Sequence, residues 1–340
     1  MAWTDLFKHK TSPTEPDPVV RWFGKLPTYA DYYGSQPDEA WAVEFNDWIL
    51  NGYELYDGRS RSENRRVGKL PLSECVIRLP KSEMTVFASI QDYGGDMRGR
   101  SFPLCFYVGV PTALWAGLSG AQGGAAVQVM RDLRALRDDV ARFFRAPARF
   151  ETTFQNIEID LSVLKGDADP QAWLRQGRNT TLADWFVDAQ QNFKASDLAS
   201  WCKLAAAWGE MIASNESDTF DPTLRFPLAT SVRLDVQVAG WLHWLGSFMD
   251  LERRSLSLVL PGMPNDATSH LVVIAREIVS EDLLLMTSEG RHLGYVDDLS
   301  DFGSENDEDE DGLGSPSPSP PEDGFGSWAD FVQGKIRLAT

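Results

Sequence analysis

The sequence predicts an α/β layered sandwich, and three observations carry that expectation. Short runs rich in β-branched and aromatic residues, at 75–79, 84–90 and 103–110, are bounded by glycine, proline or charge. Longer segments at 38–55 and 125–144 instead repeat apolar residues every three to four positions. No internal repeat relates these segments, which sets aside solenoids and propellers. Strands interleaved with amphipathic helices bury their apolar faces by packing in layers.

In chain order, residues 1–18 read as an irregular lead-in, because 11–18 (TSPTEPDP) carry three prolines among polar residues. The domain is expected over 19–296, with a second subdomain left open at 150–296. Asp38 is a candidate cap for a helix carrying Trp41, Phe45, Trp48, Ile49 and Leu55. The strand runs CVIRL, MTVFASI and PLCFYVGV follow. A glycine-rich stretch, 117–124, leads into a helix over 125–144, whose stripe of Val129, Met130, Leu133, Leu136, Val140 and Phe143 is expected to lie on the sheet. A weaker strand at 153–161 precedes helices at 181–193 and 197–213, the first capped by Thr181. Trp185, Trp201 and Trp208 are expected in the core. Alternation in 228–238 (LATSVRLDVQV) predicts a strand, then an aromatic helix around 239–251. Apolar runs at 256–260, 271–275 and 283–287 predict three more strands.

Composition narrows the function classes. Among 340 residues, 32 lysines and arginines face 50 acids, a net charge of −18, the wrong sign for a phosphate backbone, so no nucleic-acid partner is expected. Nine acids without a base fill 297–311, followed by GSPSPSPP. Such a stretch has too little apolar surface to offset its ordering entropy, so 297–326 reads as a disordered acidic linker. Beyond it, 327–340 regains Trp328, Phe331, Val332, Ile336 and Leu338 at helical spacing, a short docking segment whose Trp328 and Phe331 are candidate partner-binding residues. The three cysteines, Cys75, Cys105 and Cys202, lie in apolar segments with no C-x-x-C, which fits a reducing cytoplasm. No apolar run reaches membrane-spanning length and the first residues lack an export signal, so neither membrane insertion nor export is expected.

Catalytic signals are absent from the pattern. The four histidines sit in no metal-ligand spacing, and there is no G-x-S-x-G elbow, Walker A motif or kinase signature. No catalytic residue, metal or cofactor is therefore expected. The glycines of 117–124 read as a turn, with anion binding at the following helix start as the alternative. Residues 59–69 (RSRSENRRVGK) hold five bases against one acid. They read as a solvated loop or as a docking surface for an acidic partner or the acidic tail, through Arg59, Arg61, Arg65, Arg66 and Lys69.

Two stretches belong together. Trp22-Phe23-Gly24-Lys25-Leu26-Pro27-Thr28-Tyr29-Ala30-Asp31-Tyr32 stands near the N-terminus, and Asp96-Met97-Arg98-Gly99-Arg100-Ser101-Phe102-Pro103-Leu104 follows about 70 residues later. In order and approximate spacing, around a helix bearing Trp41 and Trp48, they resemble the TagF (ImpM) family of type VI secretion-associated proteins. The likeness is firm over 19–110. Ala30 stands where the family usually has glycine, and the arginine-rich 59–69 and the acidic tail are additions. The resemblance implies a three-layer α/β/α sandwich, expected with a mixed sheet. It also implies a non-enzymatic cytoplasmic protein that represses assembly or firing of the secretion apparatus, with a forkhead-associated scaffold protein as partner. On that reading Gly24 and Pro27 shape a turn, while Lys25, Asp31, Arg98 and Arg100 form a polar network joining the two motifs. An adaptor capturing a partner through its tail, and an enzyme with an anion site at the glycine stretch, are the alternatives.

Overall fold

The computed structural model describes residues 19–35, 38–62, 70–115, 120–140, 149, 152–153, 157–165, 175–189, 198–214, 222–251, 254–261, 270–287, 296–298 and 327–333. The lead-in 1–18, the linker beyond Asp298 and residues 334–340 lie outside them. Among the described residues, nine strands form one sheet: β1 (Arg21–Gly24), β2 (Tyr33–Gly34), β3 (Ser73–Arg78), β4 (Met84–Gln91), β5 (Leu104–Pro111), β6 (Thr223–Pro227), β7 (Ser257–Pro261), β8 (His270–Ile274) and β9 (Val296–Asp298). Their order is β2-β1-β5-β4-β3-β7-β8-β6-β9. Neighbours run antiparallel except β9, which lies parallel to β6. Strands from both halves of the chain share this sheet, and its last strand extends two residues into the stretch read as linker.

The strand sequences are apolar on both faces because both faces are covered. Along β5, Leu104, Phe106, Val108 and Val110 enter one core while Cys105 and Tyr107 enter the other. Register matches like with like, Phe87 opposite Val108 and Cys75 opposite Val259. Helix α1 (Ala40–Ser62) covers one face together with a 3-10 helix at Ser280–Met286. Its buried stripe includes Phe45, Trp48, Ile49 and Tyr53, whereas Leu55 is exposed. After the short α2 (Thr112–Trp115), helix α3 (Gly120–Val140) lies over the other face through Val129, Met130, Leu133 and Leu136. The short α4 (Ser162–Lys165) then leads to α5 (Leu182–Ala189), α6 (Leu198–Ser214), α7 (Leu234–Leu245) and α8 (Trp328–Val332), which share that core. Thr181 caps α5 as expected, its hydroxyl accepting from the Asp184 N–H at 3.0 Å. Trp185, Trp201 and Trp208 are buried, as are the three free cysteines.

Four expectations change. The alternation at 228–238 is not a strand: β6 ends at Pro227 and α7 begins at Leu234. The buried Gln237 side chain accepts from the Ala229 N–H and donates to the Ala229 and Val232 carbonyls at 2.7–2.8 Å, meeting backbone needs that a ladder would otherwise meet. The run at 283–287 falls mostly in the 3-10 helix. Asp282, fully buried, accepts from the Val279 N–H at 2.9 Å and from the Arg276 guanidinium at 2.6 and 2.8 Å, which fixes a tight turn instead of an extended chain. Within 153–161, the β pairing among the described residues is limited to the bridge Val19–Glu158, residue 153 is helical, and the chain turns into α4. The glycines from 120 onward belong to α3, not to a loop. A Cβ on Gly123 would lie 2.7 Å from the Leu242 side chain, so its bareness serves the close approach of α3 to α7.

Candidate functional site

The two sequence motifs meet at one corner of the sheet. In β1, Trp22 packs into one core and Phe23 against the other, so the motif straddles the sheet. Gly24 pairs with Leu104 at φ +148°, and a Cβ there would lie 2.1 Å from the Pro103 carbonyl oxygen. Only glycine lets the first motif lie against Pro103, itself buried, at the end of the second. Leu26 is buried, and its carbonyl accepts from the Tyr29 N–H at 3.0 Å, closing the turn over Pro27.

The second motif folds around Asp96, whose side chain is fully buried. One carboxylate oxygen accepts from the backbone N–H groups of Arg98 and Arg100 at 2.9 and 3.0 Å. The other accepts from Arg100 Nε at 2.8 Å, pairs with Arg100 Nη2 at 2.7 Å and lies 3.7 Å from Lys25 Nζ. Gly95 and Gly99, at φ +93° and +72°, permit the loop to wrap its own carboxylate. Arg100 Nη2 then donates to the Ala30 carbonyl at 2.6 Å and stands 3.6 Å from Asp31 Oδ1, while the Met97 N–H donates to the Tyr29 carbonyl at 2.9 Å. The network thus joins Lys25, Asp31, Asp96 and Arg100. Arg98 enters through its backbone alone, and its side chain is exposed, which corrects its expected place among the paired charges.

Burial sets the electrostatics. It works to raise the Asp96 pKa, but the hydrogen bonds from Arg100 and Arg98 outweigh it and hold the carboxyl down at about 2. Burial lowers the Lys25 pKa against the attraction of Asp96. The ammonium also lies 4.6 Å from the Tyr32 ring centroid and 6.0 Å from that of Phe102, a cation–π cradle. Phe23 stacks beneath Tyr32 at 5.6 Å, Phe102 meets Tyr32 edge-on at 4.8 Å, and Tyr53 of α1 meets Phe102 at 5.0 Å. These charges satisfy one another, so the arrangement holds two loops in register. What faces outward is Tyr32, 43% exposed on rigid aromatic backing, and Met97, 67% exposed, beside the Asp31 and Arg98 side chains.

The sequence motif contained Tyr32, Met97 and Phe102 without singling them out, and Tyr53 lay outside it. The alternation of glycine and aspartate in DYGGDMRG is the signal for a carboxylate-wrapping loop: Asp92 likewise accepts from the Gly94 N–H at 2.7 Å and from the Ser101 hydroxyl. The other candidates lie elsewhere. Arg59 and Arg61 belong to the last turn of α1, not to a loop, and Arg61 pairs with Asp57 at 2.6 Å; Arg65, Arg66 and Lys69 lie outside the described residues. Trp328 and Phe331, the candidates for partner binding, are buried in the chain's own core. Ser327 caps α8 in a reciprocal box with Asp330, and Trp328 rests on Gly240, where a Cβ would come 2.0 Å from the indole. Among the described residues, no group of three histidine, cysteine or acidic side chains is placed to hold a metal. No helix among them is long and apolar enough to cross a membrane.

No family model matches the chain, and no curated protein matches it. The crystal structure of PA0076 from Pseudomonas aeruginosa PAO1 is similar over 27% of this chain and 43% of its own, at 21% identity and a TM-score of 0.23. The match thus spans less than half of that protein's length.

Proposed function

We propose that this chain is a non-enzymatic, cytoplasmic accessory protein of a type VI secretion apparatus, a repressor that acts by binding a partner after translation. A forkhead-associated scaffold protein is the partner this reading assigns. The fold that goes with it is a three-layer α/β/α sandwich with a mixed sheet, supported by the apolar cores on both sheet faces and the parallel pairing of β6 with β9.

One observation carries the reading: the two motifs that resemble the TagF family come together through Gly24, Lys25, Asp96 and Arg100. Their charges are used inward, and an aromatic and a methionine are left facing out among polar groups. Exposed apolar side chains on rigid backing, rimmed by charge, are the composition of a protein-binding surface. The burial of Trp328 and Phe331 weighs against capture of a partner through the C-terminal segment.

The test is release of the apparatus's tube protein into the medium. Overproducing the chain is expected to lower release and deleting its gene to raise it, at unchanged levels of the apparatus components. Unchanged release in both strains contradicts a repressor.

A further inference from the structure

Away from that corner, a groove of about 630 Å³ opens between the first half of α1, the β3–β4 turn and the entry to the 3-10 helix. Its floor is apolar: Trp48, Leu79 and Ile278 are buried beneath it. Its walls expose two valines, Val43 at 45% on α1 and Val279 at 46% at the entry to the 3-10 helix. The volume lies within the range of about 300–1,000 Å³ typical of binding clefts.

The groove is preformed. Trp48 Nε1 donates to the Val279 carbonyl at 2.8 Å, which ties α1 to the opposite wall. Glu44 accepts from the Lys81 N–H at 3.0 Å, tying α1 to the turn. The turn is held by the Leu79 N–H donating to the Met84 carbonyl at 2.8 Å, with Glu83 in left-handed backbone at φ +50°. Walls fixed this way lose little freedom when something binds.

Charge selects the occupant. Glu44 and Asp47 stand on the α1 wall and Glu281 on the other, against Lys81, the one base among the described lining residues. Apolar floor, exposed valines and acids on both rims fit an apolar stripe flanked by positive charge. We infer that this groove docks an amphipathic helical segment of a partner protein, with leucine-like residues in the groove and lysine or arginine against Asp47 and Glu281. The inference is independent of which apparatus the partner serves.

The experiment uses the full chain and a fluorescein-labelled helical leucine/lysine peptide of about 14 residues, read by fluorescence anisotropy at about 0.15 M salt. Leucine/glutamate and serine/lysine peptides of equal length are the controls. Saturable binding of the leucine/lysine peptide alone is expected. The double variant Val43→Asp with Val279→Asp adds negative charge but removes the apolar contact, so it is expected to weaken binding about tenfold or more. Attraction to the protein's overall negative charge, its acidic tail included, would instead leave binding equal or tighter. Asp47→Lys with Glu281→Lys is expected to weaken it about threefold or more. A melting curve accompanies each variant, and Val43→Ser with Val279→Ser replaces the first pair if it fails to fold. No saturation by about 100 μM, equal binding of either control peptide, or undiminished binding by the valine variant overturns the inference. So does a dimer in sedimentation that the valine variant abolishes, because a second copy would then fill the groove.

Discussion

The Asp96 corner and the tryptophan cluster of the opposite core hold one sheet by different physics. At the corner, one buried carboxylate organises two loops through charged hydrogen bonds and through backbone that favours glycine. In the cluster, Trp185, Trp201, Trp241 and Trp328 pack with ring centroids 5.4–6.3 Å apart, and Phe331 meets Trp201 at 5.0 Å. Apolar burial is non-directional and indifferent to pH, whereas a buried ion network is directional and fails when one member is removed. The cluster therefore supplies stability and the corner supplies geometry.

The largest effect separates them on size. Trp328→Ala removes a fully buried indole and is expected to cost about 4 kcal/mol in urea unfolding. A cost below about 1 kcal/mol would mean that α8 is only loosely attached. Asp96→Asn is expected to cost about 3 kcal/mol, because it leaves the buried Lys25 and the facing Arg100 without their anion. The two variants also differ in acid. The Asp96 pKa is depressed from 3.8 to about 2, so its contribution is complete above about pH 4 and is lost as pH falls through about 2. Trp328→Ala should keep the wild-type acid slope, and Asp96→Asn should flatten it; equal slopes would remove the carboxylate from the account.

Gly24→Ala comes next, at about 2 kcal/mol by thermal unfolding, since its Cβ meets backbone that cannot move aside. Arg61→Ala is expected to change stability by less than about 0.5 kcal/mol, as befits an exposed helix pair. A larger loss there would mean that the basic stretch is part of the fold.

The same division decides what could be read from the sequence. Gly24 and Asp96 stand in the two motifs the sequence offers, because strained backbone and a loop-wrapping carboxylate demand particular residue types within a few positions. Strands such as β4 and β5 are legible because their apolar runs are short and sharply bounded. The place of Trp328 was not legible: its spacing shows a helix, but its socket at Gly240 is distant in sequence. Nor was the 3-10 helix, since Leu283, Leu284 and Leu285 have the composition of a buried strand, and Asp282 with Arg276 decides otherwise. The outward-facing places of Tyr32 and Met97 were not legible either, because outward-facing side chains follow no period.

The most direct test is a calorimetric titration of the full chain with its proposed partner, a purified forkhead-associated scaffold protein of a type VI secretion apparatus, repeated with Met97→Asp. The account predicts saturable binding that Met97→Asp weakens about tenfold or more with its melting temperature unchanged. Absence of binding, or equal binding by Met97→Asp, would contradict the claim that this corner is the partner surface.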